Sequence, residues 1–202
     1  MTVDRNFPET SAETSLDQIL TKARTHFEWQ DRPLPEGTVE RLYAAVRMGP
    51  TSANCSPARF VFVESPEAKE RLLPCLSSGN REKTRTAPLT VIIAHDPQFH
   101  DHLPELFPHA DAKSWFVSSP EFAAETALRN GSLQGAYLML AARAMGLDVG
   151  AMSGFTPDAV REAFLAESGW QPNFIVNIGY GRPEALFDRS PRLDFATACR
   201  RV

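Results

Sequence analysis

The sequence predicts a sheet of apolar strands flanked by helices, in an α+β or α/β arrangement. Three observations carry that expectation. Residues 89–94, LTVIIA, are an almost unbroken apolar run of strand length, the pattern of a strand covered on both faces. Residues 120–145 form the longest regular stretch, with Ala123, Ala127, Leu133, Ala136, Tyr137, Leu140, Ala141 and Ala144 placing small and apolar groups on more than one face. Such a helix belongs in a core, either centrally or against a second subunit. Helical periods alternate with short apolar runs that stop at Gly- and Pro-containing breaks, and no internal repeat is visible.

Taken in order, residues 1–15 are polar and read as a flexible N-terminal segment, leaving residues 16–202 as one domain. Leu16, Ile19, Leu20, Ala23 and Phe27 recur at helical spacing, so Ser15 can cap a first helix running to the ARTHFEW stretch. Val39, Leu42, Tyr43 and Val46 give one face of a second helix over residues 35–48. It delivers the chain to GPTSANCSPAR, where Thr51, Ser52, Asn54 and Ser56 lie between φ-fixed Pro50 and Pro57. Short polar side chains and free amides held this way suit a polar ligand better than a core.

A strand over 59–64 and a helix over 66–76 follow. Ser77, Ser78 and Gly79 form a break before the polar residues 80–84. Residues 97–119 are irregular and rich in His, Pro and aromatic residues, as lids and binding loops often are. After the long helix come a short strand over 147–152, a helix over 156–164 with Thr156 and Pro157 at its start, and a last strand over 173–179. The tail from Arg189 has no clear period.

Composition narrows the function. The net charge of −4 is mild and the basic residues are scattered, so a broad nucleic-acid surface is not expected. No apolar run approaches the ~20 residues needed to cross a bilayer, and the first residues lack the basic end, apolar stretch and small-residue site of a secretory leader. A cytoplasmic protein without membrane partners is the expectation. Cys55, Cys75 and Cys199 lack a CxxC spacing, which argues against a disulfide framework or a thiolate zinc site.

Four familiar motifs are absent: GxGxxG after a strand, GxxxxGK[ST], GxSxG and HExxH. If a phosphate-bearing cofactor binds, arginine side chains must carry the neutralising charge. The remaining polar clusters are Arg24-Thr25-His26, Thr51 to Ser56, Asn80 with Lys83, and Arg189 with Arg192; the Ser153-Gly154 turn is a fifth candidate. Asn80 and Lys83 are three apart and share a face if helical.

These segments, GPTSANCSPAR, SSGN with a lysine three residues on, LFPHADAKSW, MSGF, NIGYG and PRL, occur in the order seen in the FMN-dependent nitroreductase family, which the chain resembles from Leu16 onward. Within that family it is most similar to the malonic semialdehyde reductase (RutE-type) branch. The resemblance implies an α+β fold with a mainly antiparallel central sheet, a homodimer, and FMN at the subunit interface. Carried over by position, Arg24 and Arg192 match phosphate-binding arginines, with His26 close by. Thr51, Ser52 and Asn54 match the loop along the flavin ring and ribityl chain, Asn80 and Lys83 the pair at the pyrimidine edge, and Ser153 with Gly154 the turn facing flavin N5. The chain departs from common family patterns at Thr25-His26, at Ser153, where many members are acidic, and at Ser190, where many are basic and Arg189 stands one position away.

The implied activity is hydride transfer from NADH or NADPH through FMN to a small molecule: malonic semialdehyde in pyrimidine degradation, or alternatively a nitroaromatic, quinone or enone. Lys83 is the candidate catalytic cation, because a fixed positive charge at the N1/C2-carbonyl edge favours the reduced flavin. His109, Lys113, Trp115 and Arg129 are candidates for contacting the substrate. Two rivals stand beside this reading: a metal-dependent hydrolase using His100, His102, His109 and Asp111, and a flavin-binding protein without turnover.

Overall fold

A computed structural model describes residues 15–202; the N-terminal segment expected to be flexible, all but Ser15, lies outside the described residues. Four strands form one antiparallel sheet in the order β1-β2-β4-β3, with β1 Ala58–Val63, β2 Leu89–His95, β3 Asp148–Met152 and β4 Gln171–Gly179. The alternative of an α/β parallel sheet is thereby excluded.

Side-chain alternation along β2 and β4 supplies two cores. Val91, Ile93, Val176 and Ile178 face Leu42 and Val46 of the helix Thr38–Val46 and Leu138 and Ala142 of the long helix Pro120–Ala144. Ile92 and Ile175 face Leu72, Leu73, Leu76 and Val160 on the other side. Burial on both faces is why β2 reads as a continuous apolar run.

Several boundaries differ from the sequence expectation. The first helix ends early, as a π-turn over Asp17–Thr21, and the chain from Arg24 is extended, with Thr25 bridged in parallel to Val149 and Trp29 bridged to Gly181. Its backbone completes the outer edge of β3 instead of pairing within a helix. The polar residues after the Ser77 break form a nine-residue helix, Ser78–Thr86. It stops because Ala87 precedes Pro88 and adopts an extended ψ of 135°. The irregular segment contains short helical pieces, Phe99–His102, Leu103–Leu106 and Ala112–Val117, assembled around buried Phe99, Leu103 and Phe116. Local helical spacing there is too short to register as a period.

Candidate active site

The 50–57 loop is held by one face of the long helix. Asn130 Oδ1 accepts from Ser52 N at 2.9 Å, Gln134 Oε1 accepts from Ala58 N at 2.8 Å, and the Tyr137 hydroxyl donates to the Pro50 carbonyl at 2.9 Å. These residues lie at i, i+4 and i+7, and Asn130 and Gln134 are both buried. The Tyr137 ring also lies where a Cβ on Gly49 would go. Within the loop Ala53, Asn54 and Ser56 have φ of 49°, 51° and 39°, in the left-handed region that costs L-residues energy. The three helix side chains hold that strained course. Thr51 Oγ1 accepts from Ser56 N, and Asn54 Nδ2 donates to the Leu106 carbonyl.

At the other edge of the sheet, Arg24, Arg189 and Arg192 line one cleft of about 410 Å3, together with Thr25, Arg143, Phe187 and Ser190. Among the described residues their guanidinium groups reach main-chain carbonyls alone: Arg24 donates to Phe187, Arg189 to Ala23, and Arg192 to Ser190 and Pro191. No described carboxylate forms a salt bridge with any of the four arginines. Arg143 comes from the last turn of the long helix, donates to the Ile19 carbonyl at 3.0 Å, and keeps a buried Nε without a partner. Its only sequence signal is an arginine in the otherwise apolar last turns of that helix.

His26 is buried beneath this cleft and does not line it. Its Nε2 lies 3.3 Å from Asp148 Oδ1, while Asp148 Oδ2 accepts from Gly181 N at 2.9 Å. Burial pushes the imidazole below the ordinary histidine value, against the opposing pull of the Asp148 carboxylate.

The second half of this edge joins the Ser78–Thr86 helix to the turn after β3. Asn80 Nδ2 donates to the Gly154 carbonyl at 2.7 Å, and Ser77 N donates to the same oxygen at 3.0 Å. Gly154 permits this close approach, since a Cβ there would lie 2.6 Å from Asn80 Nδ2 and push that side chain aside. Ser153 precedes it on the exposed side, and the Gly154 N–H donates to no described acceptor. Lys83 is half-buried, no described acceptor receives its Nζ, and burial lowers its pKa from the usual lysine value.

The structure therefore brings Arg24, Arg189 and Arg192 together, and Asn80 with Ser153-Gly154, all along the β3 edge. It puts Thr51, Ser52 and Asn54 at the approach to β1, the opposite edge. Three strand spacings of about 4.8 Å separate the edges, or about 14 Å. The proposed substrate contacts are engaged elsewhere: Lys113 pairs with Asp101 at 2.8 Å, Arg129 pairs with Glu125, and His109 packs edge-on against Phe107, while Trp115 is half-exposed. Among the described residues no three His, Cys, Asp or Glu side chains come together in a way that would hold a metal, so the hydrolase rival loses its ligand set. Cys55 is buried and its thiol is pushed up to about 11, which leaves it without nucleophilic character near neutrality.

The fold and this arrangement define a member of a known class: the nitroreductase family model matches residues 20–180, and the chain belongs to that family. A Burkholderia lata protein, provisionally named an NADH dehydrogenase/NAD(P)H nitroreductase, is 56% identical over 95% of this chain and 98% of its own length. A provisionally assigned nitroreductase of Exiguobacterium sibiricum, crystallised in complex with FMN, superposes with a TM-score of 0.83 at 21% identity, covering 96% of this chain and 98% of that one. An enone reductase of gut-bacterial fatty acid saturation superposes with a TM-score of 0.79 at 22% identity, over 93% and 97%. At such identities the two structures speak for the fold.

Proposed function

We propose that this chain is an FMN-dependent NAD(P)H oxidoreductase, working as a homodimer, that reduces malonic semialdehyde to 3-hydroxypropanoate. The observation that carries the flavin reading is the cleft of arginines without a carboxylate partner among the described residues. A phosphate monoester brings about −1.5 to −2 charges and three acceptor oxygens, which suits guanidinium donors whose described partners are carbonyls. Arg24, Arg189 and Arg192 would hold the phosphate. Asn80 has spent one N–H on Gly154, leaving Oδ1 to accept from a pyrimidine N–H. Lys83 would supply the cation at the N1/C2-carbonyl edge, and the Gly154 N–H, which has no described acceptor, a donor toward N5.

When bound, the flavin supplies hydride acceptance and donation at N5. The chain's own contribution is to hold the ring, set its electrostatics and shape the face on which nicotinamide and substrate stack in turn. Hydride transfer needs no side-chain nucleophile, which agrees with a protonated, buried Cys55.

The homodimer reading rests on the separation of the two halves of the site. The 51–54 loop reaches a flavin at the Arg24–Lys83 edge only if a second copy supplies it. Phe122, Leu128 and Leu133 on the long helix, Tyr43 and Met48, and Phe187, Leu193 and Phe195 near the C-terminus are exposed apolar groups that such an interface would cover.

The aldehyde is preferred from the ordered motif match, LFPHADAKSW among its parts. Reduction of a nitroaromatic is the second reading, favoured by the name of the Burkholderia lata relative. The test is the visible spectrum of the purified chain, followed by anaerobic bleaching with NADH and with NADPH and reoxidation by malonic semialdehyde beside a nitroaromatic. A colourless protein that takes up no FMN overturns the flavin reading. Flavin that bleaches and is reoxidised by the nitroaromatic alone overturns the aldehyde.

A further inference from the structure

The helix carrying Asn80 and Lys83 ends in a way that creates a problem for Lys83. Its carbonyl belongs to the last turn, where the normal acceptor-to-donor ladder runs out. The residue four positions on, Ala87, has already turned extended ahead of Pro88 and does not close the bond. The vacancy is filled by two side chains from distant parts of the chain. Trp29 Nε1 donates to the Lys83 carbonyl at 2.8 Å, and Asn177 Nδ2 donates to it at 3.1 Å.

Both donors are themselves fixed. Asn177 is 1% exposed and its amide is fully used: the buried Thr90 hydroxyl donates to Oδ1 at 2.7 Å, and Nδ2 also donates to Thr84 Oγ1 at 3.1 Å. The Lys83 carbonyl, which can only accept, decides which way the amide points, and the Thr90 hydroxyl, by donating to Oδ1, holds the amide in that place. Thr90 and Asn177 are direct cross-strand partners on β2 and β4, so the sheet register places them. Trp29 is buried on the extended segment that also carries Arg24 and His26. Lys83 is thus tied both to the centre of the sheet and to the segment that begins at the arginine cleft, while its ammonium has no described partner of its own.

We propose that Trp29 and Asn177, the latter held in place by Thr90, are positioning residues that set the Lys83 ammonium against the reduced flavin. This rests on the flavin reading above and names the machinery behind its charged edge. A cation clamped through its backbone gives the flavin a fixed charge; released, it would swing into solvent and favour the reduced form less.

The test measures binding of oxidised and reduced FMN by apoprotein, in wild type, Lys83→Ala, Trp29→Phe, Thr90→Val, Thr90→Ser and the Lys83→Ala/Thr90→Val double variant. Circular dichroism verifies folding, and amide exchange of residues 78–87 in apoprotein reads the clamp without any flavin. Lys83→Ala should lower the preference for reduced over oxidised FMN by about tenfold, or about 30 mV in a two-electron potential. Trp29→Phe and Thr90→Val should each reproduce part of that loss and speed exchange in the helix's last turn. Thr90→Ser should restore both, and Thr90→Val should add nothing once Lys83 is absent. If Lys83→Ala lowers the preference while folded Trp29→Phe and Thr90→Val leave preference and exchange unchanged, the positioning role is overturned and the flavin reading stands. An additional loss from Thr90→Val in the absence of Lys83 also overturns it, because the effect would not pass through Lys83. If Lys83→Ala leaves the preference unchanged, or wild type binds no FMN, the flavin-edge assignment of Lys83 falls and the proposal falls with it.

Discussion

Asn80 and Gly154 are locked by contact and by hydrogen bond at once: the Asn80 amide donates to the Gly154 carbonyl at 2.7 Å, and that same nitrogen occupies the space next to the missing Cβ. The amide therefore closes the turn after β3 through its nitrogen, while its oxygen accepts from no described donor. Gly154→Ala should displace the Asn80 side chain and cost one hydrogen bond of about 0.5–1.5 kcal/mol, weakening FMN binding about 2- to 10-fold. Titration of apoprotein by flavin fluorescence checks this, and unchanged affinity would show that Asn80 does not face the ligand.

Removing Arg24 or Arg192 should release the cofactor. Each alanine variant loses a charge-assisted bond of about 1.5–3 kcal/mol, so FMN content after gel filtration should drop while the melting profile of apoprotein stays close to wild type. Variants that both purify fully loaded would move the phosphate elsewhere.

A shared site makes a stronger demand. Arg24→Ala on one chain and a blocking Ser52→Trp on another should each abolish FMN retention in their own homodimers. Mixing them by co-expression should produce dimers with one intact site, recovering flavin absorbance in the mixed species alone. No recovery in purified mixed dimers would place the loop and the arginines in one subunit's site.

The long helix should prove essential to the loop's shape. Gln134→Leu strands the buried Ala58 N–H, a loss of about 1–3 kcal/mol, and Asn130→Leu does the same to Ser52 N with a smaller cost because Ser52 is exposed. Thermal unfolding of apoprotein reads the difference; equal stability in the Gln134 variant would mean that the 50–57 loop holds itself.

Stability should fall on mild acidification. His26 and His95 are both held below the ordinary histidine value by burial, so between their folded values and about pH 6.5 the unfolded chain binds more protons than the folded one. Their contribution is complete above about pH 6.5 and is lost as pH falls through the folded values. The urea midpoint should drop from pH 7.5 toward about pH 5.5, and drop less in His95→Gln. A midpoint flat over that interval would show that both rings stay accessible to protons.

Much of the fold was visible in local pattern. The strand core of β2, the long helix and the loop at residues 50–57 announced themselves because burial and φ-fixing residues leave marks within a few positions. The early end of the first helix did not, because Leu20, Ala23 and Phe27 keep helical spacing even where the backbone from Arg24 is taken by β3. Asn130, Gln134 and Asn177 were equally silent. A buried amide looks like a surface amide until its partner, 78, 76 or 94 residues away, is known.

The sequence by itself determined which segments are apolar, where they stop, and which polar clusters lie between them, since each depends on residues near one another in the chain. Only the tertiary structure decided that Arg24 meets Arg189 and Arg192 in one cleft, that Trp29 and Asn177 converge on Lys83, and that the 51–54 loop stands at the opposite edge of the sheet. Strand order and register are set by packing across the whole core, so contacts between segments far apart in the chain exist only once the sheet has formed.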